Sequence, residues 1–209
     1  MPHAEVNGAR LYYEEHGEGV PLVLSHGGWT DTNHWLPNAG PLSRRWRVVL
    51  WDRRGCGRSS DPGEGHTWEL WRDDLCGLLD HLEIDSAYAG GCSYGALLSL
   101  ELALEWPRAV RALVLESASP DGIAGAGPDV VQFTARAQEL HRITVPTLIV
   151  QGEFDPFWPP RPVGERFQRG VAGSELVVVA GAGHVPHLDD PALFGRTVEE
   201  FLLRVEGAG

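Results

Sequence analysis

Short apolar runs recur along this chain, and most are followed by a stretch with helical periodicity. The runs are Val20 to Ser25, Arg47 to Trp51, Ser86 to Ala89, Ala109 to Leu115, Thr147 to Val150 and Glu175 to Val179. They are nearly continuous in apolar residues rather than alternating, as parallel strands covered on both faces are. Thr67 to Leu82, Ala96 to Trp106, Pro160 to Phe167 and Pro191 to Val205 carry the helical spacing. Val6-Asn7-Gly8-Ala9, followed by Arg10-Leu11-Tyr12-Tyr13, reads as an opening hairpin with an Asn-Gly turn. The expectation is an α/β fold: a doubly wound, mostly parallel sheet with one antiparallel edge, in a single domain over residues 1–209. One segment breaks the rhythm. Ser117 to Pro128 is rich in Gly, Ala, Pro and Ser, and Asp129 to His141 reads as a single helix capped by Asp129.

In an open parallel sheet, functional groups gather beyond the carboxyl ends of the strands. Three candidates lie there. Gly91-Cys92-Ser93-Tyr94-Gly95 joins a strand to a helix and is a G-x-S-x-G sequence in the context that gives it meaning, a sharp turn lifting a serine hydroxyl out of a sheet. The flanking glycines let strand and helix approach closely. After the strand ending at Val150 comes Gly152-Glu153-Phe154-Asp155. After the strand ending at Val179 comes Gly183-His184-Val185-Pro186-His187.

The chemistry explains why three groups are needed. A serine hydroxyl is a poor nucleophile at neutral pH until an imidazole takes its proton. The imidazole needs a buried carboxylate to fix its tautomer and stabilise its cation. The oxyanion that follows needs backbone N–H donors, expected from Tyr94 and from Gly28 in Ser25-His26-Gly27-Gly28-Trp29. The catalytic set is thus Ser93, Asp155 and His184. Glu116 and Glu153 are the competing candidates for the acid.

Taken together, His26-Gly27-Gly28, Asp52-Arg53-Arg54-Gly55-Cys56-Gly57-Arg58-Ser59, the serine turn, Gly152-Glu153-Phe154-Asp155 and Gly183-His184 resemble the α/β-hydrolase superfamily over essentially the whole chain. The order Ser93, Asp155, His184 is that family's order. The N-terminal half is most similar to the proline iminopeptidase branch, although Cys92-Ser93-Tyr94 departs from its usual Ser-Trp turn. The resemblance implies that the arginine-rich turn at 52–59 is structural, and that a serine rather than an aspartate excludes the dehalogenase and epoxide hydrolase branches. Typical members also insert a helical cap of several dozen residues after the sixth strand. Here residues 117–142 leave room for about one helix, so the cap is expected to be absent or minimal and the site shallow. That weakens the aminopeptidase reading, and it leaves apolar surface that a second copy of the chain could cover, as a homo-oligomer would.

Charge narrows the partners. The net charge is -12 and every basic residue is arginine, with no extended basic patch, so nucleic acid and anionic membranes are not expected partners. Highly anionic substrates are disfavoured in the far field, although a local arginine could override that. Cys56, Cys76 and Cys92 match no zinc or redox spacing. No signal peptide or membrane-length apolar run is visible, which points to the cytoplasm.

The function expected is cleavage of a small, uncharged carboxylic ester or lactone through an acyl-enzyme, with no cofactor and no metal. A thioesterase, perhydrolase or natural-product tailoring enzyme would use the same triad, and a non-catalytic ligand-binding member is the reading from another class. Trp29, Phe157 and Trp158, with the Tyr94 ring, are expected on a hydrophobic substrate wall. His187 is read as a loop residue near the mouth, His26 as a group orienting its own loop, and Cys92 as a structural, inward-facing thiol.

Overall fold

A computed structural model of the chain describes residues 2–63, 66–121 and 136–207. Eight strands form one sheet: β1 (His3–Val6), β2 (Ala9–His16), β3 (Pro21–Ser25), β4 (Arg47–Trp51), β5 (Ala87–Cys92), β6 (Val110–Glu116), β7 (Thr147–Gly152) and β8 (Glu175–Val179). Their spatial order is β1-β2-β4-β3-β5-β6-β7-β8. The β1–β2 and β2–β4 pairs are antiparallel and the other pairs are parallel. The opening hairpin turns through Asn7 and Gly8, both at positive φ, which is what a two-residue Asn-Gly loop requires.

The near-continuous apolar runs bury alternate residues on opposite faces. Val23, Val49, Leu113, Leu115 and Ile149 meet one layer, made largely by α2 (Trp68–His81) and α3 (Tyr94–Glu105). Leu22, Leu24, Val48, Leu50, Val114 and Val150 meet the other, made by α1 (Leu36–Leu42) and α6 (Pro191–Gly207). Thr67 caps α2 by accepting from the Leu70 N–H.

Three local expectations change. Pro160 to Phe167 is not one helix: Arg161 is non-helical, and a wide turn at Pro160–Gly164 precedes α4 (Glu165–Gly170). Prolines at 159, 160 and 162 remove the N–H groups that a regular first turn would use. Two helices were not read from the sequence, α1 and the short α5 (Pro186–Asp189), because Pro37, Gly40, Pro41 and Pro186 punctuate them like loops. Most of the helix expected at Asp129 to His141 lies outside the described residues; the part inside them, from Arg136, is a turn followed by a 3-10 helix at Leu140–Arg142. No helix among the described residues is long and apolar enough to cross a membrane.

The sheet order fixes where chemistry can occur. The chain runs from β3 outward to β4, then returns across β3 to start β5. The carboxyl ends of β3 and β5 therefore flank the topological switch point, where open α/β sheets leave a crevice.

Candidate active site

Ser93 stands at that crevice, between β5 and α3, with φ 55 and ψ -113. Such a backbone is costly for a residue with a side chain and persists only where its surroundings hold it. Two glycines make this possible. A Cβ on Gly95 would overlap the Ser25 carbonyl oxygen, and one on Gly91 would collide with the Gly95 backbone. The turn is therefore pressed against the end of β3. It is tied on its other side by the Ser93 N–H, which donates to the Glu116 carbonyl at 2.8 Å.

The loop leaving β3 faces this turn. A Cβ on Gly27 would lie 3.7 Å from the Ser93 Cβ, and one on Gly28 would lie 3.6 Å from the Tyr94 ring. Tyr94 is the first residue of α3, so its N–H has no partner within the helix. His26 is buried and holds the loop: its Nδ1–H donates to the Gly27 carbonyl at 2.8 Å, and its Nε2 accepts from the Arg53 N–H at 3.1 Å. Burial, then the neighbouring Arg53 charge, keeps its pKa well below the ordinary histidine value. Both ring nitrogens are occupied, so His26 orients its own loop.

The carboxylate and imidazole meet directly. His184, on the loop after β8, has its Nδ1 2.9 Å from Asp155 Oδ2. The other carboxylate oxygen accepts the N–H groups of Phe157 at 2.9 Å and Trp158 at 3.1 Å. Burial would raise the Asp155 pKa, but the hydrogen bonds from His184, Trp158 and Phe157 outweigh it and leave the carboxyl below its usual value. With Nδ1 engaged, Nε2 is the ring atom left for proton transfer. Phe157 and Trp158 flank the imidazole, with ring centroids 5.0 and 5.3 Å away. The Cys92 thiol, next to Ser93, lies 3.9 Å from the His184 carbonyl oxygen. Base loop and serine turn are therefore neighbours. Among the described residues the Ser93 hydroxyl itself has no hydrogen-bond partner, and such contacts are commonly long until substrate is bound.

The two competing acids have other roles. Glu153 accepts the Gly181 N–H at 2.9 Å and braces the base loop. Glu116 holds His187, which is not the mouth-lining loop residue expected from the sequence. His187 is fully buried on α5, with its ring stacked on Trp35 at 3.9 Å. The Glu116 carboxylate accepts the His187 N–H at 2.7 Å and contacts its Nδ1 at 2.6 Å, while Nε2 donates to the His34 carbonyl at 3.0 Å. Cys92, Glu116 and His187 bring three ligand-type atoms within 4.8 Å of one another. The Glu116–His187 hydrogen bonds already account for two of them. Burial, then Glu116, pushes the Cys92 thiol well above its ordinary pKa, so it is not a competing nucleophile. Asp189 accepts from the Gly183 N–H and Asp190 from the Leu193 N–H, so both are loop and helix caps.

The aromatic residues divide by exposure. Trp29, 87% exposed, leans on the Tyr94 ring, and Phe157, 67% exposed, stands beside His184. Trp35, Trp68 and Trp71 are core. The signal missed in the sequence was His34, which packs edge-on against His187 at 4.5 Å and approaches Gly27 from the same side as Ser93.

His34 also sets a pH dependence. Burial first, then the nearby His187, lowers its pKa from 6.5 to about 4, and His26 is lowered as well. As pH falls below about 6.5 the unfolded chain takes up protons at both positions, whereas the folded chain does not. Their contribution is therefore complete above pH 6.5 and is lost between there and about 4 for His34. Urea unfolding should show stability falling over this range by at most about 1.4 kcal/mol per pH unit per histidine, and less for the partly exposed His34. His34→Phe should flatten part of that slope; an unchanged slope in the variant contradicts the account.

The comparisons with known proteins agree with the geometry. A profile of the alpha/beta hydrolase fold family matches residues 20–127. A 2-hydroxy-6-oxo-2,4-heptadienoate hydrolase of Pseudomonas putida is 41% identical over 106 residues, 49% of this chain and 38% of its own length. A proline iminopeptidase of Clostridium botulinum is 30% identical over 128 residues, 57% of this chain and 43% of its own. The chain thus spans about two fifths of the length of these relatives. The crystal structure of the enol-lactonase from Burkholderia xenovorans LB400 superposes with a TM-score of 0.89 at 24% identity, covering 97% of this chain and 100% of that one. With more than half of the sequence under the family profile and the same sheet throughout, the chain belongs to the alpha/beta hydrolase fold family.

Proposed function

We propose that the protein is a serine hydrolase that cleaves a small carboxylic ester or lactone through an acyl-enzyme. The observation that carries the reading is the 2.9 Å Asp155–His184 pair at the sheet edge where Ser93 is held in a strained turn. In the proposed reaction Ser93 Oγ attacks the carbonyl carbon as His184 Nε2 takes its proton. The tetrahedral oxyanion is held by the N–H groups of Gly28 and Tyr94. Collapse expels the alkoxide, which takes the proton from His184. Water, deprotonated by His184, then attacks the acyl-enzyme and releases the acid and Ser93. Asp155 keeps the imidazole in the tautomer that both half-reactions need. Trp29, Phe157 and Trp158 form the apolar wall beside the reacting carbonyl.

The partner in this reading is a small molecule, and the acidic chain is poorly suited to nucleic acid or anionic membranes. The high exposure of Trp29 and Phe157 also favours a second reading with the same triad, in which a bulky or carrier-bound thioester replaces the ester. A fluorophosphonate probe tests the core of both. It should label the protein stoichiometrically, with the adduct mapping to the peptide containing Ser93. No labelling, or an adduct elsewhere, removes the acyl-enzyme mechanism. Relative kcat/KM on p-nitrophenyl acetate, an acyl thioester and γ-butyrolactone then separates the two readings.

A further inference from the structure

Trp29 carries two costs at one position. It is the most exposed of the large apolar side chains among the described residues. It also sits at φ 53, the only aromatic among the described non-glycine residues at positive φ. That backbone is disfavoured for any residue with a Cβ and is rare for a bulky one. Such strain persists only where the surrounding structure fixes it, and it gathers where ligands are held.

The loop is fixed from both sides. Before Trp29, the Gly27 carbonyl accepts from Arg53 Nη2 at 2.6 Å and from the Thr30 hydroxyl at 3.3 Å. After it, the Thr32 N–H donates to the buried Asp52 carboxylate at 2.7 Å, and the Asp31 carboxylate accepts from the Asn33 N–H at 2.9 Å. None of these bonds uses the Trp29 indole. Its one ring neighbour among the described residues is Tyr94, 6.3 Å away between centroids. The fold therefore holds the indole out without drawing on it for packing.

What the indole does border is a cavity of about 470 Å³, walled also by Tyr94, Trp71 and His66. The volume suits a small molecule. The cavity adjoins both backbone donors assigned to the oxyanion: Tyr94 is one of them, and Trp29 directly follows Gly28. Ser93 and His184 do not line it. A carbonyl held by the two donors would keep its reacting carbon outside the cavity and send a substituent inward. The charged groups around the cavity do not call for a charged substituent. Arg54 is taken up by Asp74, and Arg53 by the Gly27 carbonyl, Cys56 and the Trp71 and Tyr94 rings. Asp31 and the net charge of -12 disfavour an anion.

We propose that this cavity takes an uncharged aromatic ring carried by the substrate, held against Trp29 and Tyr94, so that the ester cleaved is one bearing an aryl group. Aromatic side chains meet a ring in offset or edge-to-face contact and gain more from it than from an aliphatic group of equal area. Trp29 is then the specificity-determining residue. Its exposure is relieved when the ring binds, and its strained backbone is what keeps the indole at the rim of the cavity, next to the oxyanion donors.

The proposal rests on the hydrolase reading for the word substrate, so its test reads binding and stability rather than turnover. In a Ser93→Ala background, phenyl acetate and cyclohexyl acetate are titrated and followed by ligand-observed NMR. The two are similar in size and the cyclohexyl group is the more apolar, so burial alone would favour it. The expected result is saturable binding of phenyl acetate, about threefold or more tighter than the cyclohexyl ester. Trp29→Gly should abolish that preference and Trp29→Phe should keep it. The urea midpoint of Trp29→Gly should equal or exceed that of its background, because glycine accepts φ 53 and an exposed indole gives up little packing. A lower midpoint makes Trp29 a structural residue and overturns the proposal. So do absent or equal binding of the two esters, and a preference that Trp29→Gly keeps or Trp29→Phe loses. If fluorophosphonate does not label Ser93 yet the phenyl preference and its loss in Trp29→Gly hold, the hydrolase reading fails and the ring site stands.

Discussion

Ser93→Ala is expected to lower kcat on p-nitrophenyl acetate by on the order of 10⁴-fold or more while leaving the fold intact. The argument has two parts. Alanine keeps the Cβ, so the strained turn at φ 55 keeps its geometry and the packing of Gly91 and Gly95 against β3 is unchanged. Only the hydroxyl is lost, and among the described residues no other nucleophile stands in its place. Cys92 is buried with its thiol protonated, and Tyr94 sends its ring toward Gly28 and Arg53. Residual turnover should reflect only the oxyanion donors and bound water. Circular dichroism and the urea midpoint should match the parent protein. A variant that keeps its activity would show that the Asp155–His184 pair serves another nucleophile or none.

Much of this architecture is legible in the sequence because burial on both faces leaves a strong mark. Leu22 to Leu24 and Val48 to Leu50 read as inner parallel strands, and in the same sheet the carboxyl ends of β5, β7 and β8 lead into Ser93, Asp155 and His184. What escaped depends on partners far apart in the chain. His187 follows Gly183-His184-Val185-Pro186, which reads as a loop, although Pro186 is also a favoured first residue of a helix. Its burial comes from Glu116, 71 positions away, and from the Trp35 ring. The same applies to the arginines. Arg53 and Arg54 are adjacent and chemically identical, and which of them is neutralised depends on Asp74 lying on the inner face of α2. Local patterning records which face of an element is apolar. It does not record which buried guanidinium meets a carboxylate.

Glu116→Ala should destabilise the protein by about 3–5 kcal/mol, the range for breaking a buried pair from one side. Both groups are fully buried, and the carboxylate accepts from two donors on one residue. The His187 ring faces oxygen at both nitrogens: Nε2 must donate to the His34 carbonyl, so the proton between Nδ1 and Glu116 completes the network. Alanine would strand the His187 N–H groups in a dry pocket and open a cavity beside Trp35. Glu116→Gln behaves differently, because its carbonyl can still accept from the His187 N–H while its amide donates to a neutral Nδ1. That substitution should cost about 1 kcal/mol. The pair of variants also decides the identity of the acid. If Glu116 were the partner of the catalytic imidazole, the amide would lower kcat by on the order of 10⁴-fold through the wrong tautomer. Because Asp155 holds His184, Glu116→Gln should leave kcat within a few-fold, whereas Glu116→Ala should lower it through its effect on the segment that carries both histidines. Urea titrations of the two variants beside their kcat values check both halves. An alanine variant losing under about 1 kcal/mol would mean that Glu116 does not fix the base loop against the serine turn.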